Sequence, residues 1–144
     1  MSADAAPHIK VSIAVYVGTP LDYQKYRHTA LCFRPSNREA PMIIHIVGPN
    51  MDYQLETRNN YEPTSSRSFA KEVPVGWIRT PMTKAQLAPL IYQTPINNTS
   101  REFNCQTWVG DVLRRLVQAG YLTREDCENG IDGMIDATLE AGDE

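Results

Sequence analysis

The chain has 144 residues, of which 42% are hydrophobic and 22% are charged. This length and composition are typical of a single globular domain over residues 1–144, and they exclude a coiled coil, a wholly disordered chain and several domains. The net charge is −3, and residues 125–144 are acidic without any Lys or Arg. The basic residues elsewhere are scattered and no apolar run approaches the ~20 residues of a membrane helix, so neither nucleic-acid binding nor a membrane span is predicted.

The first half of the chain is predicted to form strands. Alternating apolar residues, many of them β-branched, begin at Ile9, and Gly-, Pro- or Asn-containing turns separate the runs that follow. The polar segment 57–70 is predicted to be a long loop and a candidate substrate lid. Residues 1–8 are expected to be a flexible terminus. The predicted strands cover residues 9–17, 28–33, 42–47, 51–56 and 73–78.

The second half of the chain is predicted to be helical. Thr83 and Gln86 form a capping-box pattern at the start of a helix that reaches residue 92, and Pro89 is expected to kink or shorten it. A further helical turn is predicted from Thr123, with a final helix over 131–139. Residues 140–144 are read as an acidic tail.

The clearest helical pattern begins at Cys105. Apolar residues recur with the spacing of one helix face from Cys105 to Leu116, and Gly120 stands where a C-terminal cap is expected. Because strands come first and helices follow, the predicted fold class is α+β. We expect an antiparallel sheet of about five strands packed against the helix that begins at Cys105.

The three cysteines are expected to be reduced thiols. Their number is odd and they form no CxxC pair, which favours a reducing, cytoplasmic compartment over a disulfide framework, and no signal sequence is visible. The histidines and cysteines do not have the spacing of zinc ligands, so neither a metal nor another cofactor is predicted. Cys32 is expected to lie in the core, and the acidic neighbours of Cys127 are expected to raise its pKa.

Cys105 is the candidate nucleophile. The first turn of a helix favours a thiolate and offers free backbone N–H groups to an oxyanion. His28 opens the second predicted strand and His45 lies in the third, so the two imidazoles could supply a base and a group that orients it. A structural cysteine and hydrogen-bonded core histidines are the alternatives. Gln106, Asn104 and Tyr16 are candidates for oxyanion binding or support.

The order of these motifs resembles a known superfamily. A strand led by His28, a strand containing His45 and the segment from Phe103 to Val109 are similar to the circularly permuted branch of the NlpC/P60-like papain-fold superfamily. That branch includes lecithin:retinol acyltransferase-like proteins and PPPDE peptidases. The helix that follows also resembles small fungal proteins with no assigned activity. The resemblance covers roughly residues 9–120 and implies a papain-like core.

The resemblance also implies roles for individual residues. Cys105 would be the nucleophile, His28 its base and His45 the third, polarising member. Two features depart from the acyltransferase pattern: Gln106 replaces an acidic residue, and no hydrophobic membrane anchor is present.

The predicted function is a cysteine-dependent hydrolase or acyl transferase. It would act on an amide, ester or thioester carbonyl of a small molecule or peptide. The alternatives are a non-catalytic binding module on the same fold and a Cys/His-dependent isomerase or cyclase of a small metabolite. Arg27 and Arg101 could hold a substrate carboxylate or be ordinary surface charges. The sequence does not specify an oligomeric state.

Overall fold

The computed structural model describes residues 5–142 and confirms an α+β fold with an antiparallel sheet. The sheet has the order β4-β3-β2-β1-β5, with every neighbouring pair antiparallel. Three α-helices follow the strands in the chain. The strands are β1 (Ile9–Tyr16), β2 (His28–Pro35), β3 (Met42–Val47), β4 (Gln54–Arg58) and β5 (Phe69–Trp77), and the helices are α1 (Lys84–Tyr92), α2 (Cys105–Gln118) and α3 (Arg124–Leu139).

The main hydrophobic core lies between one face of the sheet and the helices. Alternation along β1 and β2 directs their β-branched and aromatic side chains to this face. α2 packs on β2 and β3, while α3 packs on β5 and β1. Burial of one such side chain contributes about 1.5–3 kcal/mol, so this layer is the main source of stability. Fully buried members include Ile13, Leu31, Phe33, Ile44, Trp108 and Leu113.

The opposite, helix-free face carries a smaller cluster. Ala30, Cys32 and Ile43 are buried there beneath Tyr16 and Tyr61. Tyr61 belongs to the connection between β4 and β5, and Tyr16 is the last residue of β1.

Ion pairs anchor that connection to the sheet. Arg34 donates to Glu62 at 2.7 and 2.8 Å and to Glu72 at 2.7 and 2.9 Å. All three guanidinium nitrogens are therefore engaged, and the segment before β5 is tied to β2.

The connections differ in length from those predicted. The β3–β4 turn covers residues 48–53, because Gly48 and Met51 both adopt positive φ, and β4 therefore begins at Gln54 rather than at residue 51. The predicted loop 57–70 is shorter than expected. Its first residues belong to β4, a short 3-10 turn forms at Pro63–Ser65, and β5 begins at Phe69.

The helix starts match the predictions. Thr83 caps α1 through the predicted capping box, and the helix continues past Pro89 to Tyr92. α2 begins at Cys105 and is followed by Gly120 with φ +84°. The two predicted C-terminal pieces form one helix, α3, capped by Thr123.

Close packing explains why α3 is continuous despite its glycines. A Cβ on Gly130 would lie 2.8 Å from Val75, and one on Gly133 would lie 2.6 Å from Val73. These glycines therefore let α3 approach β5 closely, and the contact offsets their low helix propensity.

The chain ends are more tightly held than predicted within the described range. Pro7 accepts a hydrogen bond from the Met82 amide, and His8 accepts one from the Ser36 amide. At the other end, Glu140 caps α3 and pairs with Lys71 at 2.9 Å. The rest of the predicted flexible terminus and acidic tail, residues 1–4 and 143–144, lies outside the described residues. Between residues 5 and 142, no helix is long and apolar enough to cross a membrane.

Candidate active site

The candidate site lies where β2 and β3 separate. The two strands pair from Phe33–Met42 to Leu31–Ile44, and the described pairing ends there. His28 and His45 lie just beyond this point, one at the start of β2 and one on β3. Their rings meet across the gap, with 2.7 Å between His28 Nε2 and His45 Nδ1. The open end of the strand pair thus brings the two predicted histidines together.

Glu56 extends the histidine pair into a chain of three hydrogen-bonded side chains. The sequence did not single out Glu56. Glu56 lies directly opposite His45 in the β3–β4 register, and its Oε1 is 2.7 Å from His45 Nε2. The hairpin pattern was visible in the sequence, but its register depends on the turn over residues 48–53. A three-residue turn would place another residue opposite His45, and only the observed turn selects Glu56.

The hydrogen bonds determine the tautomers of both imidazoles. Contacts with His45 and Arg58 hold the pKa of the Glu56 carboxyl below its usual range, so it is an ionised acceptor. His45 must then donate from Nε2 and accept at Nδ1. His28 in turn donates from Nε2, which leaves its Nδ1 lone pair free to take a proton.

Both histidines are neutral at neutral pH. Burial, reinforced by repulsion from His45, lowers the pKa of His28 to about 4. Burial also lowers the pKa of His45, although the hydrogen bond to Glu56 acts in the opposite direction. A neutral imidazole can act as a base, whereas an imidazolium cannot.

Cys105 lies at the first position of α2 and lines a cavity together with the three hydrogen-bonded side chains. The cavity has a volume of about 400 Å³ and is lined by Cys105, His28, His45, Glu56 and Arg58 together with the residues at 46–48 and 53. We refer to it as the thiol cavity. The predicted nucleophile and both predicted histidines therefore line one cavity, although among the described residues no hydrogen bond joins Cys105 to either imidazole.

The protonation of Cys105 differs from the expected thiolate. Burial raises the pKa of its thiol, and the nearby amide and hydroxyl of Thr29 and the first amides of α2 only partly oppose this. The thiol instead lies 3.9 Å from the carbonyl oxygen of Arg27. The resting pair is thus a neutral thiol and a neutral imidazole, because burial disfavours both charged forms.

Thr29 is a second neighbour that the sequence did not single out. It is fully buried, and among the residues the structure describes its hydroxyl has no hydrogen-bond partner. Its amide and hydroxyl both act to lower the pKa of Cys105. A buried hydroxyl without a partner is costly, so its position beside the sulfur requires a reason.

The three predicted support residues have different surroundings. The Asn104 side chain caps α2 by accepting from the Thr107 amide at 3.0 Å, so it helps to set the position of Cys105. The Gln106 amide hydrogen bond favours the ionised sulfur. Tyr16 does not line the thiol cavity. Its ring lies 5.8 Å from that of His28, on the helix-free face.

The two predicted carboxylate-binding arginines do not line the thiol cavity. Arg27 is buried and donates to Asp22 at 2.8 and 3.0 Å and to the Ala137 carbonyl at 2.8 Å. It thereby ties the backbone before His28 to the end of α3. Arg101 is exposed.

The other two thiols do not line the thiol cavity. Burial raises the pKa of Cys32 to about 12, and burial also raises that of Cys127, with Glu128 acting in the same direction. Both are buried, as predicted for Cys32. Within the described part of the chain, no group of three or more His, Cys, Asp or Glu side chains could hold a metal ion.

Comparison with known proteins identifies a family but not an activity. No curated protein and no solved structure matches the chain. The model of a family of unknown function, DUF6540, matches residues 15–123, which run from the end of β1 to the residue that caps α3. Because this match covers more than half of the sequence and the whole thiol cavity, the chain belongs to the DUF6540 family.

Proposed function

We propose that this protein is a cysteine-dependent hydrolase or acyl transferase built on a permuted papain-like core. The observation that carries the proposal is the continuous chain from Glu56 through His45 to His28, which opens into the same cavity as Cys105. The carboxylate also favours the tautomers that leave the His28 Nδ1 lone pair available to a proton. The element order, with histidine strands before a cysteine-led helix, supports the papain-like interpretation.

The proposed reaction begins with proton transfer from the Cys105 thiol to His28 Nδ1. The sulfur attacks the substrate carbonyl and forms an S–C bond, and the oxyanion is held by the amides at the start of α2. His28 returns the proton to the leaving group as its bond to the carbonyl carbon breaks. Water, or an amine in acyl transfer, then gives its proton to His28 and attacks the thioester. The S–C bond breaks and the thiol recovers the proton.

Each member of the chain has a distinct role in this scheme. Cys105 forms the covalent bond and His28 carries the proton. His45 orients His28, and Glu56 stabilises the positive charge that His28 acquires. Glu56 and His45 are therefore positioning residues, because they act through His28.

The experiment that tests this proposal uses p-nitrophenyl acetate as an activated ester. We expect release of p-nitrophenol together with an acetyl group on Cys105 detected by peptide mass spectrometry. C105A should abolish both signals without changing the circular dichroism spectrum, because the residue lies at the edge of the core. C127A is the matched control, since it removes a buried thiol elsewhere and should retain both signals.

Two outcomes would contradict the proposal. Full activity of C105A would exclude covalent catalysis by this thiol. Acetylation spread equally over the three cysteines would favour a non-catalytic binding module on the same fold.

A further inference from the structure

Arg58 differs from the other arginines that contact this end of the sheet. Arg27 and Arg34 use their guanidinium nitrogens in several hydrogen bonds to carboxylates or carbonyls. Arg58 makes one hydrogen bond to a carboxylate, from Nε to Glu56 at 2.9 Å, and its side chain is half exposed. Its terminal nitrogens, which carry most of the guanidinium donors, are not part of that bond.

The guanidinium is nevertheless held in place. Its carbon lies 5.3 Å from the centre of the Tyr61 ring, in a cation–π contact. The Glu56 bond holds Nε, and the Tyr61 side chain contacts the guanidinium from a second direction. A guanidinium held in this way is preorganised for bidentate binding of an oxyanion.

Arg58 borders a second cavity as well as the thiol cavity. The second cavity has a volume of about 340 Å³ and lies on the helix-free face, with His28, His45 and Arg58 shared between the two. We call it the hydroxyl cavity, because its described lining includes the hydroxyl-bearing residues Tyr16, Thr19, Tyr61, Ser66 and Ser68.

The hydroxyl cavity favours an anion. Of the described residues that line it, none is Asp or Glu, while Arg58 supplies a positive charge. Burial raises the pKa of Tyr16 far above its usual range, so its hydroxyl stays protonated and can donate. Glu62, which lies in the same connection, does not line the cavity and is paired with Arg34, which also binds Glu72.

We infer that Arg58 and the hydroxyl cavity bind a carboxylate on the acyl substrate, while the reacting carbonyl lies at Cys105. This inference rests on the proposed function and narrows its substrate class to amides, esters or thioesters that carry a carboxylate. The connection over residues 59–68 then determines specificity from the helix-free face, because Tyr61, Ser66 and Ser68 belong to it.

The test compares two alkylating reagents of nearly the same shape. Iodoacetate carries a carboxylate and iodoacetamide carries a neutral amide. The rate of Cys105 labelling by each is measured by peptide mass spectrometry, and the ratio of the two rates reports attraction of the carboxylate. We expect R58Q to lower the ratio of iodoacetate to iodoacetamide labelling about fivefold. R58K should keep most of the wild-type ratio, because the lysine retains a positive charge.

R101Q is the matched control for the loss of one positive charge. Arg101 is exposed and close to Cys105 in sequence but lines neither cavity. R101Q should therefore leave the ratio unchanged. In the wild type, succinate should slow labelling by iodoacetate, and it should do so less in R58Q.

The possible outcomes separate the inference from the proposed function. An equal fall in both labelling rates for R58Q would mean that Arg58 acts only through Glu56, and it would overturn the carboxylate site. An unchanged ratio would overturn it as well. A lowered ratio in a protein that fails the p-nitrophenyl acetate test would support the anion site and reject the catalytic proposal.

Discussion

Replacing Glu56 by Gln tests whether the carboxylate stabilises the protonated form of His28. The variant keeps an oxygen that can accept from His45 Nε2, so the hydrogen-bonded geometry is preserved while the negative charge is removed. The ion pair of Cys105 thiolate and His28 imidazolium is then less stable. In the proposed mechanism that ion pair is the reactive form, so we expect slower alkylation of Cys105 by iodoacetamide at pH 7.

The size of the effect follows from the geometry. Two hydrogen bonds of 2.7 Å flank the His45 ring between Glu56 and His28. The Glu56 carboxylate and the His28 ring are therefore about 7 Å apart. Coulomb's law with an effective dielectric constant of about 20 then gives an attraction of roughly 2 kcal/mol between the carboxylate and a protonated His28. The Glu56 side chain is 37% exposed, and screening by water reduces this to about 1 kcal/mol, or about a fivefold slower rate.

The assay is the second-order rate constant for labelling of Cys105, resolved by peptide mass spectrometry. E102Q is the control, because Glu102 is exposed and near Cys105 in sequence but does not line the thiol cavity. Its rate should equal that of the wild type, and thermal unfolding should confirm that both variants fold. A wild-type rate for E56Q, or an equal loss in E102Q, would refute the relay from Glu56 to His28.

Two further predictions concern Thr29 and His28. T29V removes a hydroxyl that has no hydrogen-bond partner among the described residues, so we expect stability to be unchanged or higher while Cys105 labelling slows about tenfold, because a donor to the thiolate is lost. T29S should restore the rate, and a wild-type rate for T29V would exclude this role. Burial lowers the pKa of His28 from 6.5 to about 4, so the unfolded chain binds this proton at a higher pH than the native protein. The free energy of unfolding should therefore fall by up to about 3 kcal/mol as pH drops from about 6.5 to about 4. Denaturant unfolding of H28Q should lack this part of the decrease, and parallel curves for H28Q and the wild type would contradict the assignment.

Local patterns in the sequence were sufficient for most elements. The period-two runs identified the strands, and the capping residues Thr83 and Thr123 marked helix starts that the structure confirms. These signals are reliable because they depend on neighbours a few residues away. Element ends were less predictable: β4 is displaced, since the left-handed conformation of Met51 extends the turn before it.

The sequence by itself indicated Cys105, His28 and His45 as the candidate residues of this site, but neither Glu56 nor Thr29. Cys105 at a helix start and histidines on two strands were visible from spacing alone, and the structure places all three at one cavity. Their order along the chain also indicated an α+β fold before any contact was known. The sequence could not determine the direction of the pKa shift at Cys105, because that shift depends on burial.

Only the tertiary structure showed that Glu56 hydrogen-bonds to His45 and that Arg27 does not line the thiol cavity. Glu56 meets His45 through hairpin register, and Arg27 meets Asp22 and the end of α3 through packing. Burial of the sulfur in the fold raises the thiol pKa that the helix N-terminus alone would lower. Register and burial are properties of the whole fold, since each depends on how distant segments are placed together, and for that reason they decided which side chains meet and how their pKa values shift.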